Sequence, residues 1–393
     1  MCHNRLERQI MKQAESTLSR RRFLGGSAAA AGAFTIVKPQ SVRGSQANSK
    51  ITLGVIGTGG RGSFDASIAN ADPRCRVTAL CDKFDDRIES AKQRIKAPDA
   101  KVYKDFEQLL ASDVDAVLIA TPPFEHPRMF EAAVQANKHI YCEKPMGVDV
   151  EGCRKVIAAS RKANPKKTIS VGFQQRYGPV YLEAYKRIQQ GAIGQLANAR
   201  GYWISGNPFK RVPYPDPQVE KLRNWFCYKD LSGDIIVEQD CHNLDVLYWF
   251  LGALPLRAVG YGGRRIRKDM DILDHLSVAY EWPGDMIVNF EANQLTPPGG
   301  GRVGEDFTGT TGVIFVSRQR MLHVRGPKDQ EQMDSKRDIT IDAIENFLTR
   351  IQTGNPENVG ERSALSTLIA ILGRTAIYTG KEVTWKGEFG SIA

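Results

Sequence analysis

Paired cysteines are missing from this chain. Its 393 residues hold seven cysteines, none in a CxxC pair, and no Cys/His cluster has zinc spacing, so no metal site is expected. Beyond residue 47 the six are Cys75, Cys81, Cys142, Cys153, Cys227 and Cys241; several lie in strand-like apolar runs, where cysteine acts as a small buried hydrophobe. A chain of this size does not need a disulfide framework. Long apolar runs are also scarce: beyond residue 47 none approaches the ~20 residues of a membrane span. Strong basicity is missing too once the first 47 residues are set aside. These carry eight of the 54 Lys and Arg but only two of the 44 Asp and Glu, so the formal +10 falls to 46 bases against 42 acids, a surplus of four. No arginine-rich stripe interleaved with aromatics remains, which disfavours nucleic acid as a partner. The 346 residues that follow predict about two domains.

What is present begins with SRRRFLGG, residues 19–26, followed by SAAAAGAFTIV. Arginines, then Phe-Leu, then small apolar residues make a targeting segment, and Ser19-Arg20-Arg21-Arg22-Phe23-Leu24 resembles the twin-arginine export signal of bacteria. The apolar run Leu24–Val37 is 14 residues long, too short for a spanning helix, so no stable membrane anchor is expected. Ser45-Gln46-Ala47 is a small-residue cleavage candidate. Residues 1–47 therefore read as signal and linker. Twin-arginine export moves folded proteins, many of them loaded with a cofactor, and it implies the twin-arginine machinery as a partner and a periplasmic destination.

A cofactor site follows at once. Ile51–Ile56 is a nearly continuous apolar run, as suits a parallel strand buried on both faces. Gly57-Thr58-Gly59-Gly60-Arg61-Gly62 comes next, with a helix-compatible stretch, Ser63–Ala69, behind it. The first glycine permits the tight turn, the second lets backbone approach a pyrophosphate, and the third lets helix and strand pack closely. A second strand, Arg76–Cys81, ends at Asp82, 20 residues after Gly62, where a carboxylate would hold an adenosine ribose 2′-hydroxyl and favour NAD over NADP. Lys83 beside it keeps NADP open. Strands and helices then alternate: helix Phe84–Ile95, strand Lys101–Tyr103, helix Phe106–Ala111, strand Ala116–Ala120, a helix through Ala136, strand Ile140–Cys142, helix Asp149–Ala163 and strand Ile169–Gly172. This is the pattern of a doubly wound parallel sheet, the Rossmann arrangement, over residues 48–173. Thr121-Pro122 breaks the chain at a strand's C-terminal end, where ligands bind in such sheets. Glu143-Lys144-Pro145 does the same after Cys142, with a proline that holds the backbone extended or in a cis bond.

Five pieces in this order, GVIGTGGRG, ATPPFEH, CEKPMG, GFQQRY and SGDIIVEQDCHNLDVLYWFLG, resemble the Gfo/Idh/MocA family, that of glucose–fructose oxidoreductase and inositol dehydrogenase. The resemblance covers nearly all of the chain beyond the leader. It implies that Lys144 is catalytic and that His242 is the active-site histidine. Glu238 stands where the family often has aspartate, which keeps the carboxylate and lengthens its reach; Asp240 stands where glycine is frequent. The cofactor is expected against the loop Gly57–Gly62, Asp82, Thr121, Pro122, His126, Glu143 and Lys144. Substrate contacts are expected from Lys144, Arg176, Tyr177, His242 and Asp245, although Arg176 is equally suited to bracing the domain junction. A homo-oligomer, dimer or tetramer, is implied as well.

Beyond residue 174 the pattern changes. Helix Pro179–Gln190 precedes strand-like runs at Leu196–Ile204, Leu256–Arg265, Leu273–Trp282, Met286–Asn293 and Gly312–Val316. They predict a C-terminal α+β domain, residues 174–393, with an open, mainly antiparallel sheet. If Glu238–Trp249 is helical, Glu238, His242, Asp245 and Trp249 share one face. That stripe suits an acid–base cluster; it also suits a buried histidine satisfied by Asp245. Gly206–Cys227 reads as a long loop whose Tyr214, Trp225 and Phe226 suit either sugar stacking or loop packing.

The expected activity is an exported NAD(P)-dependent oxidoreductase acting on a sugar, polyol or glycoside hydroxyl carbon. Lys144 and His242 would shuttle the alcohol proton, on condition that burial and nearby positive charge lower the lysine pKa. An NAD-dependent glycosidase working by transient oxidation and elimination, or a transhydrogenase between two sugars, would recycle the cofactor outside the cytoplasm. A non-catalytic cofactor-loaded binding protein would be expected to lack Lys144 or His242. The leader generates the first prediction. Replacing Arg20, Arg21 and Arg22 by lysine keeps the charge but removes the planar guanidinium forks. Cell fractionation with immunoblotting is expected to find this variant folded, uncleaved and cytoplasmic; export at the wild-type level would mean a general secretory signal.

Overall fold

A computed structural model describes residues 50–392; the expected signal, residues 1–47, lies outside the described residues. The first part alternates as its sequence pattern requires: β1 (Ile51–Ile56), α1 (Gly60–Ala71), β2 (Cys75–Cys81), α2 (Asp85–Ile95), β3 (Lys101–Tyr103), α3 (Phe106–Leu110), β4 (Ala116–Ile119), α4 (His126–Gln135), β5 (His139–Cys142), α5 (Val150–Lys162) and β6 (Ile169–Val171). The six strands form one parallel sheet in the order β3-β2-β1-β4-β5-β6. The order reverses between β1 and β4, and the crevice at the C-terminal ends of these strands is where such sheets take their ligand. β4 is buried along its whole length, which is why its sequence is continuously apolar.

The second part contains α6 (Pro179–Gln189), β7 (Leu196–Ile204), α7 (Pro217–Arg223), α8 (Lys229–Ser232), α9 (Ile235–Glu238), α10 (Cys241–Leu251), β8 (Arg257–Gly263), β9 (His275–Trp282), β10 (Met286–Asn293), β11 (Arg302–Gly309), β12 (Val313–Val316), β13 (Arg320–Gly326) and β14 (Asp329–Asp334). With β15 (Val383–Thr384) these strands make a nine-stranded sheet, β14-β13-β12-β11-β7-β10-β9-β8-β15. Its pairs are antiparallel except for β7 with β10. Burial alternates along β9 and β10, so one face meets the core and the other is bare. Val259, Tyr261, Ile287 and Phe315 are exposed on that bare face.

After β14 the chain returns to the first sheet. Helix α11 (Ile339–Thr353) buries Ile344, Phe347 and Leu348 with Val55, Leu118 and Tyr141. The Phe347 and Tyr141 rings meet edge to face at 5.7 Å. Residues 357–359 pair with β6, Ile169 donating to the Glu357 carbonyl at 2.8 Å and Val359 donating to that of Ile169 at 3.1 Å. Helix α12 (Gly360–Thr379) then packs between the two sheets' helices, and α13 (Trp385–Phe389) closes the described chain. All six cysteines of the described residues are free and buried, and no described helix is long and apolar enough to cross a membrane.

One ion pair fixes the junction of the two sheets. Arg176, on the single helical turn after β6, grips Asp245 on α10 with Nε at 2.8 Å and Nη2 at 2.8 Å. The Ser366 hydroxyl on α12 donates to the same carboxylate at 2.6 Å. The Asp245 side chain is 1% exposed. Removing the guanidinium would strand a buried charge, which typically costs about 3–5 kcal/mol. Arg176→Ala is therefore expected to lower the unfolding midpoint markedly, as read by calorimetry, while protein that remains folded keeps its substrate KM. A stable variant with a raised KM would make Arg176 a substrate contact.

Candidate active site

A cleft of about 810 Å³ opens at the C-terminal ends of the parallel strands and is walled on its far side by the second sheet. Its floor is the glycine loop, and each glycine has its own reason. Gly57 has φ +86°, and a Cβ there would lie 2.7 Å from the backbone of Ala120 and Thr121. A Cβ on Gly62 would lie 2.0 Å from the Gly57 carbonyl oxygen, so helix and strand could not approach. Gly59 and Gly60 are different: a Cβ on either would meet nothing within 4 Å, and both line the cleft. The N-terminus of α1 has no side-chain cap and no acid in its first turn. Open backbone, free N–H groups and the positive end of a helix dipole suit a diphosphate. Asp82 lines the cleft at the end of β2, its carboxylate accepting from Thr58 N at 2.8 Å, Thr58 Oγ1 at 3.1 Å and Phe84 N at 3.0 Å. These features fit a dinucleotide, with Asp82 set for a ribose hydroxyl.

Thr121, Pro122, His126, Glu143 and Lys144 also line the cleft. The His126 ring bridges two loops, Nδ1 to the Pro145 carbonyl at 2.7 Å and Nε2 to that of Thr121 at 2.8 Å. It ties the strand-end loop after β4 to the one after β5, where the Lys144–Pro145 bond is cis. Glu143 accepts from Arg61 Nε at 3.1 Å, so its carboxylate anchors the glycine loop. A Cβ on Gly172 would fall 2.3 Å from that carboxylate, which is why glycine follows β6.

Lys144 reaches across to the second part. Its Nζ donates to the Glu238 carbonyl at 2.5 Å and to Glu238 Oε1 at 3.0 Å. Burial is the largest influence and pulls the lysine pKa down, but Glu238, by charge and hydrogen bond, together with Cys241 and Glu143 outweighs it and leaves the pKa above the ordinary 10.5. The expected condition for a lysine base is thus not met: Lys144 is held as an ammonium. His242 is the opposite case. Burial first, then the positive charges of Lys144, Arg318 and Arg61, push its pKa well below 6.5. Its Nδ1 is buried without a hydrogen-bond partner. The ring stacks on Trp203 at 5.9 Å and meets Phe173 edge-on at 6.0 Å.

The expected single helix from Glu238 to Trp249 is broken. Helix α9 ends at Glu238, and α10 begins at Cys241. Glu238 and His242 face the cleft, whereas Asp245 is taken by Arg176, and Trp249 stacks on Tyr185 at 4.8 Å. Asp245 therefore does not satisfy the histidine. Arg176, Tyr177 and Asp245, expected at the substrate, do not line the cleft, because the turn Gln174–Tyr177 covers that flank of α10.

Two features were not read from the sequence. One is Arg318, which lines the cleft from the β12–β13 connection beside Trp203. The other is the fold of Gly206–Cys227, where a helix and a tight turn form a strap. Its Phe209, Trp225 and Phe226 pack on one another, and Arg223 spans to the first part, pairing with Asp86 at 2.6 Å and lying 4.0 Å over the Phe84 ring.

Comparison with known proteins agrees with this layout. Residues 51–173 match the oxidoreductase family with NAD-binding Rossmann fold, and residues 181–315 match the GFO/IDH/MocA C-terminal domain. Inositol 2-dehydrogenase of Rubrobacter xylanophilus is 31% identical over 271 residues, covering 68% of this chain and 71% of that protein. The chain belongs to the Gfo/Idh/MocA family. Inositol 2-dehydrogenase of Salmonella typhimurium is 32% identical over 205 residues, 51% of this chain, and the match spans only about half of that relative's length, 54%. Among solved structures, a levoglucosan dehydrogenase complex with NADH superimposes with a TM-score of 0.73 at 18% identity, over 86% of this chain and 99% of that one. The myo-inositol 2-dehydrogenase of Lactobacillus plantarum gives 0.70 at 20% identity, over 86% and 99%. At these identities the structures establish the shared fold.

Within this family member the strap generates a prediction. Residues Tyr214, Leu222, Arg223 and Trp225 line the same cleft as Asp82 and Phe84, so the Arg223–Asp86 pair latches the strap over the dinucleotide end. A partly exposed ion pair with an added ring contact is worth about 1 kcal/mol. Arg223→Ala is expected to release bound NADH about three- to tenfold faster by stopped-flow fluorescence. An unchanged release rate would show that the strap closes without the latch.

Proposed function

We propose that this chain is an NAD-dependent dehydrogenase acting on a hydroxyl carbon of a sugar or polyol. The observation that carries the reading is the pairing of an anchored ammonium, Lys144, with a neutral buried imidazole, His242, on one cleft above the glycine loop. Relatives named inositol 2-dehydrogenase and scyllo-inositol 2-dehydrogenase (NAD(+)) support the substrate class. Residues Gly57–Gly62 and Asp82 would hold the cofactor, which supplies the hydride acceptor when bound. NAD is preferred to NADP because the Asp82 carboxylate would repel a 2′-phosphate.

The division of labour follows from the charges. His242, neutral and with its buried Nδ1 unpartnered, accepts the hydroxyl proton. Lys144 donates a hydrogen bond to the same oxygen and offsets its developing negative charge as the proton leaves. Glu238 fixes the ammonium and keeps it protonated. Phe173 and Trp203 confine the imidazole and keep its surroundings dry.

The strap favours a second reading within the same chemistry: a retained cofactor reduced and reoxidised in one catalytic cycle, as in an NAD-dependent glycosidase or a sugar transhydrogenase. Incubating the purified protein with sugars and glycosides, without added NAD, distinguishes it from a simple dehydrogenase. Two further expectations join the proposal. The leader supports periplasmic export by the twin-arginine route, and the bare sheet face bearing Tyr261, 73% exposed, supports a homo-oligomer.

The test uses NADH absorbance with a panel of inositols, sugars and polyols. Lys144→Met and His242→Asn are each expected to keep NAD binding and to lose about 10²–10⁴ in kcat/KM. Because a protonated His242 cannot accept the proton, kcat/KM should fall on the acid side only below pH 6.5. No alkaline loss is expected until above 10.5, where Lys144 gives up its charge. An acid limb at or above 6.5 that survives His242→Asn would take the proton-accepting role away from His242.

A further inference from the structure

Arg318 sits in the tight connection between β12 and β13, closed by Ser317 donating to the Arg320 carbonyl at 2.8 Å. Its guanidinium lies 5.5 Å from the centroid of the Trp203 ring, the same ring that stacks on His242. It therefore faces the end of the cleft where the hydroxyl proton would be removed. Its Nε is buried and has no hydrogen-bond partner. Among the described residues no carboxylate lies within ion-pair distance of it, although in the same cleft Lys144 has one and Arg61 has two. Two carboxyl groups reach Arg318 only through space, Asp338 and then Glu305, and burial pushes the Glu305 carboxyl up to about 8.

A guanidinium does not give up its proton, so Arg318 stays a half-buried cation with no anion in ion-pair contact. Such a charge is costly to keep, and the cost is recovered when a ligand brings the partner. A neutral polyol offers only dipoles. A carboxylate offers two oxygens at the spacing of the guanidinium fork and one unit of charge to match one unpaired unit. We propose that the substrate is a carboxylated sugar or polyol whose carboxylate binds Arg318 while its hydroxyl carbon lies at Lys144 and His242. This rests on the dehydrogenase reading and narrows it to sugar acids.

The test compares glucose, glucuronate and glucose 6-phosphate, with matched neutral and acidic inositol derivatives. Binding to the NADH-loaded protein is measured by calorimetry, and turnover is followed separately by NADH absorbance. Wild type is expected to bind and oxidise the acids about 10- to 100-fold better than their neutral partners. Arg318→Met, which keeps the apolar stem over Trp203, should erase that preference and leave NADH affinity unchanged; Arg318→Lys should restore part of it. Equal handling of neutral and acidic sugars by wild type would overturn the proposal and leave the dehydrogenase reading standing. So would a loss of NADH affinity in Arg318→Met, which would assign the guanidinium to the cofactor, or an Arg318-dependent preference for the phosphate. Arg318-dependent binding of acids with no oxidation of any compound would do the reverse. Should Arg318→Met fail to fold, the wild-type preference and the lysine variant decide.

Discussion

The contact on which the site depends is the one between Lys144 and Glu238. The two side chains are only 12% and 14% exposed, so neither charge would be tolerated there alone. Lys144 stands at the end of a parallel strand and Glu238 at the end of a short helix 94 residues later. Their pairing ties the loop after β5 to α9, and Lys144 Nζ also donates to the Glu238 carbonyl, at the point where α9 ends before α10. That break turns His242 toward the cleft and leaves Asp245 to Arg176. The ion pair also decides the chemistry. An anchored ammonium is a poor base and a good donor, whereas burial first, and then the charge of Lys144, hold the neighbouring imidazole toward its neutral form.

The first sheet was legible because its signals are local. A strand buried on both faces is continuously apolar, a glycine loop must follow it, and an acid must end the next strand; each rule concerns a handful of neighbouring residues. Strand β3 and strand β7 fall on the residues expected of them for the same reason. Legibility fails where a partner lies far away in sequence. Strand β14, DQEQMD, is almost wholly exposed and is defined by its pairing with β13, not by any apolar alternation. Helices α11 and α12 were not assigned to the first sheet because their contacts with Tyr141 and Ile169 span some two hundred positions.

The site shows the same division. Lys144, His242 and the glycine loop carry motifs, and they meet on one cleft. Arg176 and Asp245 carry motifs too, yet they are 69 positions apart and satisfy each other. Their spacing gave no hint of the match, and a charged residue near a motif reads as a ligand contact until its partner is known. Arg318 has the opposite problem: it lies in a polar turn, SRQR, with nothing to mark it off from a solvated loop. What distinguishes it is burial beside Trp203 and the lack of an anion, and neither is a property of the local sequence.

Three buried carboxyls behind the cleft are pushed above their ordinary pKa values. Asp240 has both oxygens without a hydrogen-bond partner, and burial pushes its pKa well above the ordinary value. Asp65 is raised by burial and by the neighbouring Glu143. Glu305 is raised to about 8, chiefly by burial. In each case the unfolded chain sheds its proton first, near pH 4. These groups therefore favour the fold below that pH, and their contribution is lost as pH rises toward the folded values. Burial thus disfavours the charge on Asp240 beside the Lys144–Glu238 pair, and the charge on Asp65 beside Arg61, which contacts both Asp65 at 3.3 Å and Glu143 at 3.1 Å. Asp338 and the raised carboxyl of Glu305 reach Arg318 only through space. The same cleft thus holds Lys144 and Arg61 in ion pairs and leaves Arg318, among the described residues, without a carboxylate at ion-pair distance.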